Sequence, residues 1–263
     1  MPLLSWILLF SLLGGVLSVI AAAVFLLLPE ALRTRLLPHA VSFAIGALLG
    51  AALLGLLPHA LEALGGNNFH NITGTLLLGI FGFFLLEKLV LWRHCHHEQC
   101  EVHVPENEDH DHHHPAAGTL ILIGDGLHNF IDGVLIAAAF LTDVHLGIVT
   151  SLAVAAHEIP QEVGDFAVLL HSGFSTGKAF LFNMLSSLAT VVGAVLAYYT
   201  FKDLEPVLPY VLAIAASSFI YVAVADLIPG LHKRVEFSAT LKQVLLISSG
   251  VVLIYLTHAT LHT

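Results

Sequence analysis

The sequence predicts an all-α integral membrane protein with eight transmembrane helices, and its composition and the length of its apolar runs are the observations that predict it. Of the 263 residues, 57% are hydrophobic and only 11% are charged, whereas a soluble globular domain carries about 25% charge. The apolar runs also approach the roughly 20 residues that a helix needs to cross a bilayer. This composition excludes a soluble enzyme. The net charge of −10 argues against a nucleic-acid partner, which requires a basic face.

Eight apolar runs are long enough to be spans, and they lack the alternation expected of barrel strands. No basic residue precedes the first run, so we expect it to be retained as a span and not cleaved as a signal peptide. We treat residues 1–263 as a single polytopic domain surrounded by lipid bilayer. The predicted spans are, in chain order, Leu3–Leu28, Ala40–Leu61, Thr75–Trp92, Gly118–Leu141, Leu146–Leu170, Ala179–Thr200, Leu208–Leu231 and Val244–Leu261.

The nine basic residues predict how these spans are oriented. If the N-terminus lies outside, only Lys202 falls in an outward loop, and eight bases fall in inward loops, as the positive-inside rule expects. Both termini are therefore predicted to face outward, in a multi-pass protein of the plasma (inner) membrane. The inward bases are Arg33, Arg35, Lys88, Arg93, Lys178, Lys233, Arg234 and Lys242.

A His-rich segment, residues 93–116, separates spans three and four and is predicted to be a disordered cytoplasmic loop. Within it, His94–Pro115 holds eight of the 18 histidines, six acids and both cysteines, Cys95 and Cys100. Imidazole and thiolate are ligands that Zn²⁺ and similar ions prefer. The loop is either a metal-capturing or metal-sensing segment, which we favour, or a solvated polar linker.

Spans four and five contain five of the seven acids that lie within the apolar runs. A charged side chain facing lipid costs roughly 2.5 to 3.5 kcal/mol even on insertion scales, so we expect these acids to line an interior site. Residues three and four apart share a helix face. This spacing groups Asp125, His128, Asn129 and Asp132 on span four. On span five it groups His157 with Gln161 and Asp165, and Glu158 with Glu162.

The two polar faces predict a divalent-cation site at the middle of the membrane. Asn129 and Glu158 fall near the midpoints of their spans, and a connector of about four residues, 142–145, makes the spans antiparallel neighbours. Pro160 leaves the carbonyl of Ala156 without its helical donor, a feature found where backbone lines a transport site. The competing interpretation is a proline kink whose polar neighbours bond helix to helix.

An intramembrane metalloprotease is a weaker alternative. His157-Glu158 would begin a zinc-protease helix motif, which needs a second histidine on the same helix face. Position 161 is glutamine instead. This sequence therefore disfavours an enzyme.

Two segments, residues 128–133 (His-Asn-Phe-Ile-Asp-Gly) and 157–162 (His-Glu-Ile-Pro-Gln-Glu), resemble the ZIP (Zrt-/Irt-like protein) family of divalent metal transporters. The similarity is to the branch whose fifth span reads His-Glu-x-Pro-His-Glu, and residues 56–60, 86–88 and 221–223 with Asp226 also match that branch. The resemblance implies a transporter that imports Zn²⁺, or the similar ions Fe²⁺, Mn²⁺, Cd²⁺ or Co²⁺, into the cytoplasm. It further implies a metal centre between spans four and five, and a homodimer.

The resemblance also implies ligands for one or two ions. His128, Asp132 and position 161 match the ligands of one ion, and Asn129 and Glu158 match those of a second ion, with Asp132 bridging. Three departures weaken this assignment: Gln161 replaces the usual histidine, Thr190 replaces an acid of span six, and span two has Ala51 and Gly55 where the branch often has Asp and His. The access path is therefore expected to use His59 and Glu62. A metal exporter and a membrane metal sensor remain open alternatives.

Overall fold

The computed structural model describes residues 2–64, 69–94, 115–232 and 236–261, and within these ranges every regular element is a helix. The His-rich segment predicted to be a disordered loop lies almost entirely outside the described residues. The α-helices are α1 (Leu3–Gly14), α2 (Val16–Leu26), α3 (Glu30–Gly50), α4 (Leu57–Glu62), α5 (Phe69–His94), α6 (Pro115–Thr142), α7 (Val144–His171), α8 (Thr176–Phe201), α9 (Leu208–Tyr221), α10 (Ile228–Leu231) and α11 (Phe237–Leu261). A π-helical segment, Ala51–Leu56, joins α3 to α4. A second one, Val222–Leu227, joins α9 to α10.

Seven stretches of the described chain are long and apolar enough to cross a membrane, and they correspond to seven of the predicted spans. These stretches are Leu3–Leu26, Glu30–Glu62, Phe69–Leu89, Ile121–Thr142, Thr176–Phe201, Glu205–Leu231 and Phe237–Thr257. Helix α7 has 28 residues and is therefore about 42 Å long, but its histidines and acids lower its hydropathy. It corresponds to the predicted fifth span.

Several helices begin earlier than the apolar runs that predicted them. Helix α3 begins at Glu30 and not at Ala40, and α11 begins at Phe237 and not at Val244. Backbone hydrogen bonding continues past the apolar part of a helix, because polar residues at its ends can reach water. The first span is divided at Gly15, where a Cβ would lie 2.6 Å from the carbonyl oxygen of Ser187 on α8.

Helix α6 packs most extensively against α8, and glycines on both helices bring the two backbones together. A Cβ at Gly133 would lie 1.9 Å from the carbonyl oxygen of Thr190, and one at Gly193 would lie 2.1 Å from that of Phe130. Small residues allow this approach between membrane helices. As a result, the Thr190 face of α8 lies directly against the polar face of α6.

Helices α6 and α7 form an antiparallel pair joined by a single residue, Asp143, so the expected four-residue connector is wrong. The carboxylate of Asp143 accepts a hydrogen bond from the backbone N–H of Leu146 at 2.9 Å and caps α7. Helix α7 continues without interruption through Pro160. The midpoints of the two helices fall at residues 128–129 and 157–158, so their polar residues lie at the same level.

The main apolar core surrounds the end of this pair that carries Asp143. It includes Ile136 and Phe140 of α6, Val149 of α7, and Leu212 and Phe219 of α9, all of which are almost fully buried. By contrast, α5 and α11 expose most of their apolar side chains on the outside of the bundle. The polar centre of α6 and α7 is therefore enclosed by other helices and does not lie on the outer surface.

Candidate metal centre

Four side chains converge at the middle of the α6–α7 pair. His128 and Asp132 are one turn apart on α6, and His157 and Glu158 are consecutive residues on α7. One donor atom from each lies within 4.8 Å of those from the other three. We refer to His128, Asp132, His157 and Glu158 as the His/carboxylate cluster. It is the only such group of His, Cys, Asp or Glu found in the described ranges.

The distances within the His/carboxylate cluster match the spacing of ligands around a zinc ion. The two Nε2 atoms of His128 and His157 are 3.2 Å apart. The Nε2 atom of His128 lies 3.3 Å from Glu158 Oε1 and 3.8 Å from Asp132 Oδ2. The Nε2 atom of His157 lies 3.3 Å from Asp132 Oδ2 and 3.6 Å from Glu158 Oε1. Donors about 2.1 Å from a tetrahedral Zn²⁺ are about 3.4 Å apart.

Burial and charge also favour a cation at this cluster. His128 is 22% exposed, and the other three side chains are buried. Both carboxylate oxygens of Asp132 and of Glu158 lack a hydrogen-bond partner within the described part of the chain. Two buried carboxylates in contact only with imidazoles require positive charge, because an uncompensated buried charge is costly. A divalent cation supplies that charge in one ion.

The orientation of His157 is set by its own helix. Its Nδ1–H donates to the carbonyl oxygen of Ala153 at 3.0 Å, which directs the Nε2 lone pair into the His/carboxylate cluster. Its ring also makes an edge contact with Phe219 of α9. A backbone bond to the second ring nitrogen is the usual way in which a ligating histidine is held.

Comparison with known proteins identifies the family of this chain. The family model described as the ZIP zinc transporter matches residues 3–114 and 92–258. The chain belongs to the ZIP zinc transporter family. The resemblance seen in the sequence is thereby confirmed.

Curated relatives carry the same family name. The chain is 31% identical to zinc transporter ZIP13 of Pongo abelii over 232 residues, which is 84% of this chain and 66% of that protein. It is 41% identical to zinc transporter ZIP10 of Danio rerio over 124 residues, which is 44% of this chain and 15% of that protein. It is 42% identical to human zinc transporter ZIP4 over 116 residues, 43% of this chain and 18% of that protein. The matches to these relatives thus cover less than two thirds of their length.

Membership in the ZIP family bears on two of the predictions made from the sequence. Members of the ZIP family are transporters and not enzymes, so membership disfavours the metalloprotease alternative. The several membrane-length helices of the chain make it an integral, multi-pass membrane protein.

In this ZIP family member, Asn129 is held by two neighbours. Its amide nitrogen donates to Asp125 Oδ1 at 2.9 Å, and its amide oxygen accepts from the hydroxyl of Thr190 at 2.8 Å. The predicted ligand therefore has its oxygen bonded to the residue that replaces an acid of span six. For Asn129 to bind an ion through this oxygen, the oxygen must be shared with Thr190 or released by it.

The structure favours His157 over Gln161 as the ligand from α7. Gln161 lies one turn further along the helix and is half-buried, while His157 makes the short contacts described above. The resemblance alone assigned position 161, because both positions lie on the same helix face. Side-chain geometry separates them.

The remaining predicted residues lie in two other places. Asp125, Glu162 and Asp165 lie on the same side of the His/carboxylate cluster, toward the ends of α6 and α7 that do not carry Asp143. His59 lies on α4, half-buried, with its Nδ1–H donating to the carbonyl oxygen of Gly55 at 2.9 Å. The structure does not bring His59 into the His/carboxylate cluster, so its role on an access path remains a prediction.

Sequence reasoning missed the polar face of α8. Asn183, Ser186, Ser187 and Thr190 are all buried, and their spacing of three and four residues places them on one helix face. That spacing within an otherwise apolar span was the available signal. Sequence reasoning also missed a hydrogen bond between two of the segments that resemble the ZIP family. In it, the hydroxyl of Tyr221 on α9 donates to the carboxylate of Glu87 on α5.

Proposed function

We propose that this protein imports Zn²⁺ into the cytoplasm through the His/carboxylate cluster. The observation that carries the proposal is the convergence of two imidazoles and two buried carboxylates at zinc-like spacing, midway along two antiparallel helices. Two nitrogen and two oxygen donors suit Zn²⁺ and also accept Fe²⁺, Mn²⁺, Cd²⁺ or Co²⁺. Relatives named zinc transporters support zinc as the transported ion.

The proposed topology has eight spans, with α7 as the fifth and both termini outside. Helix α7 is long enough to cross the membrane, and its acids Glu158 and Glu162 are buried within the protein, so they do not argue against a span. The distribution of basic residues supports this orientation. It places the Asp143 end of the α6–α7 pair outside and the opposite end on the cytoplasmic side. The host membrane is proposed to be the plasma (inner) membrane.

In the proposed mechanism the ion exchanges water for protein donors at the middle of the membrane. An ion arriving from outside then binds His128, Asp132, His157 and Glu158. The buried carboxylates compensate the charge of the dehydrated ion, and His157 is held in place by its hydrogen bond to the Ala153 carbonyl. Release then takes place toward the cytoplasmic end of α6 and α7. Residues 93–116 are proposed to receive or sense the ion there.

Zinc flux into liposomes tests this proposal. The purified protein is reconstituted around a zinc-sensitive dye, and the His128→Ala, Glu158→Ala double variant is expected to lose most of the flux. His171→Ala is the control, because His171 lies on the same helix as Glu158 but is exposed at the end of that helix. Wild-type flux in the double variant would overturn the site assignment.

Direction and assembly need separate measurements. A zinc gradient imposed in each direction across liposomes of known protein orientation distinguishes import from export. The proposed homodimer is tested by the mass of the detergent-solubilised protein. The single-domain organisation over residues 1–263 predicts one cooperative loss of the folded state on heating.

A further inference from the structure

A cleft formed by α2, α7 and α8 lies outside the His/carboxylate cluster. Helix α2 packs against both of the other helices, and the cleft between them has a volume of about 590 Å³. This volume is within the range of roughly 300 to 1,000 Å³ that is typical of small-molecule sites. Among the described residues that line the cleft, only Arg33 of α3 carries a charge. We refer to this feature as the Arg33 cleft.

The walls of the Arg33 cleft are apolar and open to the surroundings of the protein. Helix α2 contributes Ile20, Val24 and Leu27, which are exposed and share one helix face because they are three and four residues apart. Phe166 of α7 and Phe180 of α8 form the opposite wall. An exposed apolar face on a membrane protein contacts lipid chains, so this cleft is a groove in which an acyl chain can lie.

The polar groups of the cleft lie at one end of it. The lining residues of α2 extend over seven positions, from Ile20 to Leu27, which is about 10 Å along the helix axis. Arg33 follows six residues after Leu27, in the first turns of α3, and Thr176 and Gly177 are the first two residues of α8. A charge where the helices end, with an apolar groove leading away from it, is the arrangement of head and chain in a phospholipid.

Arg33 has no partner within the described part of the chain. Its Nε atom is buried without a hydrogen-bond acceptor. Glu30, three residues earlier on the same helix, forms no ion pair with it. A buried donor without an acceptor is costly, more so when it is charged. The guanidinium group presents several N–H donors in the geometry that suits phosphate, so an anion at this position would satisfy it.

The beginning of α8 favours the same kind of ligand. Ser175 at its N-cap makes no side-chain hydrogen bond to the helix, and the first backbone N–H groups of a helix have no acceptor within that helix. The start of a long helix therefore attracts a negative group. Arg33 and the start of α8 present donors at the same end of the cleft.

From these observations we propose that the Arg33 cleft binds one anionic phospholipid, with an acyl chain along α2 and the headgroup phosphate at Arg33. The apolar groove alone would accept the chain of any lipid. The unpartnered guanidinium makes the site selective, because it favours a headgroup of net negative charge over a zwitterionic one. In the proposed topology this end of α2 and α7 is cytoplasmic, the side on which basic pockets between membrane helices bind anionic lipid.

Native mass spectrometry of the full chain tests this selectivity. The detergent-solubilised protein is titrated with phosphatidylglycerol, or with phosphatidylcholine that carries the same acyl chains. We expect one phosphatidylglycerol molecule to be retained at concentrations at which phosphatidylcholine is not. Arg33→Gln should weaken the retention of phosphatidylglycerol at least about fivefold and leave that of phosphatidylcholine unchanged. Arg35→Gln is the matched control, because it removes the same charge from an exposed residue of α3 that does not line the cleft.

A second pair of variants tests the apolar part of the cleft. Val24→Trp places a large ring in the groove and should lower the retention of both lipids. Leu17→Trp is its control, because Leu17 is also exposed on α2 but does not line the cleft.

Three results would overturn the proposal. The first is equal retention of the two lipids by the wild type, and the second is an equal effect of Arg33→Gln and Arg35→Gln. The third is a Val24→Trp variant that dissociates a dimer without losing lipid, which would make the cleft a contact between two copies of the chain. None of these measurements uses zinc, so their failure would leave the import proposal as it stands.

Discussion

Replacing His157 with Phe tests which residue of α7 binds the ion. The substitution keeps an aromatic ring beside Phe219, and it removes the Nε2 atom that lies 3.3 Å from Asp132 and 3.6 Å from Glu158. A residue that only supports a metal ligand is worth roughly 10- to 100-fold in affinity. Removing a ligand itself should therefore cost about 100-fold or more, which corresponds to about 2.7 kcal/mol.

The matched variant is Gln161→Met, which keeps the length of the side chain and removes its amide. If the structure assigns the ligand correctly, Gln161→Met should change the half-saturating Zn²⁺ concentration by less than about threefold, well below the effect of a lost ligand. Both variants are compared by the concentration dependence of zinc uptake into liposomes, after circular dichroism has shown that their helix content is unchanged. The reverse result, with His157→Phe transporting normally and Gln161→Met inactive, would refute the reasoning and restore position 161 as the ligand.

Three further outcomes are expected. Gly133→Ala should lower the free energy of unfolding of the detergent-solubilised protein by at least about 1–3 kcal/mol, because the added Cβ would lie 1.9 Å from the Thr190 carbonyl oxygen. Gly164→Ala is the control and should melt like the wild type, because nothing lies within 4 Å of a Cβ at that position. Equal melting temperatures for the two variants would count against close packing of α6 and α8. Zinc uptake should fall as external pH is lowered, because protons compete with the metal for imidazole and carboxylate; a flat pH profile would argue against these ligands. Deleting residues 94–114 should leave most of the flux intact in the same assay, whereas complete loss would favour the sensor alternative or a gating loop.

Much of the architecture could be predicted because hydropathy and helix periodicity are local properties. Seven of the predicted spans coincide with membrane-length helices, and the acids of spans four and five were correctly expected to be enclosed within the protein. The same local signals placed the helix ends poorly. Hydropathy follows the apolar part of a span, whereas α3 and α11 continue into polar residues that keep their backbone hydrogen bonds.

The composition of the candidate site was only partly predictable. Periodicity placed His157 and Gln161 on one face of α7, and it could not decide which of them reaches His128 and Asp132. It also gave no indication that Asn183 and Ser186 of α8 would approach Glu162 and Asp125. These contacts depend on the close approach of α8 to α6 at Gly133 and Gly193. The distance between two helices is a tertiary property, so the periodicity of one helix does not give it.

By itself, the sequence determined that this is a helical membrane protein of the ZIP family, with its chemistry concentrated on two adjacent helices. Counts of apolar and charged residues and two short motifs suffice for that, because each depends on residues close together in the chain. Only the tertiary structure showed that His128, Asp132, His157 and Glu158 come together, whereas the other predicted ligands, His59 among them, lie outside this cluster. That grouping depends on distances of 3.2 to 3.3 Å between atoms on α6 and α7, and these distances are set by how the two helices pack together.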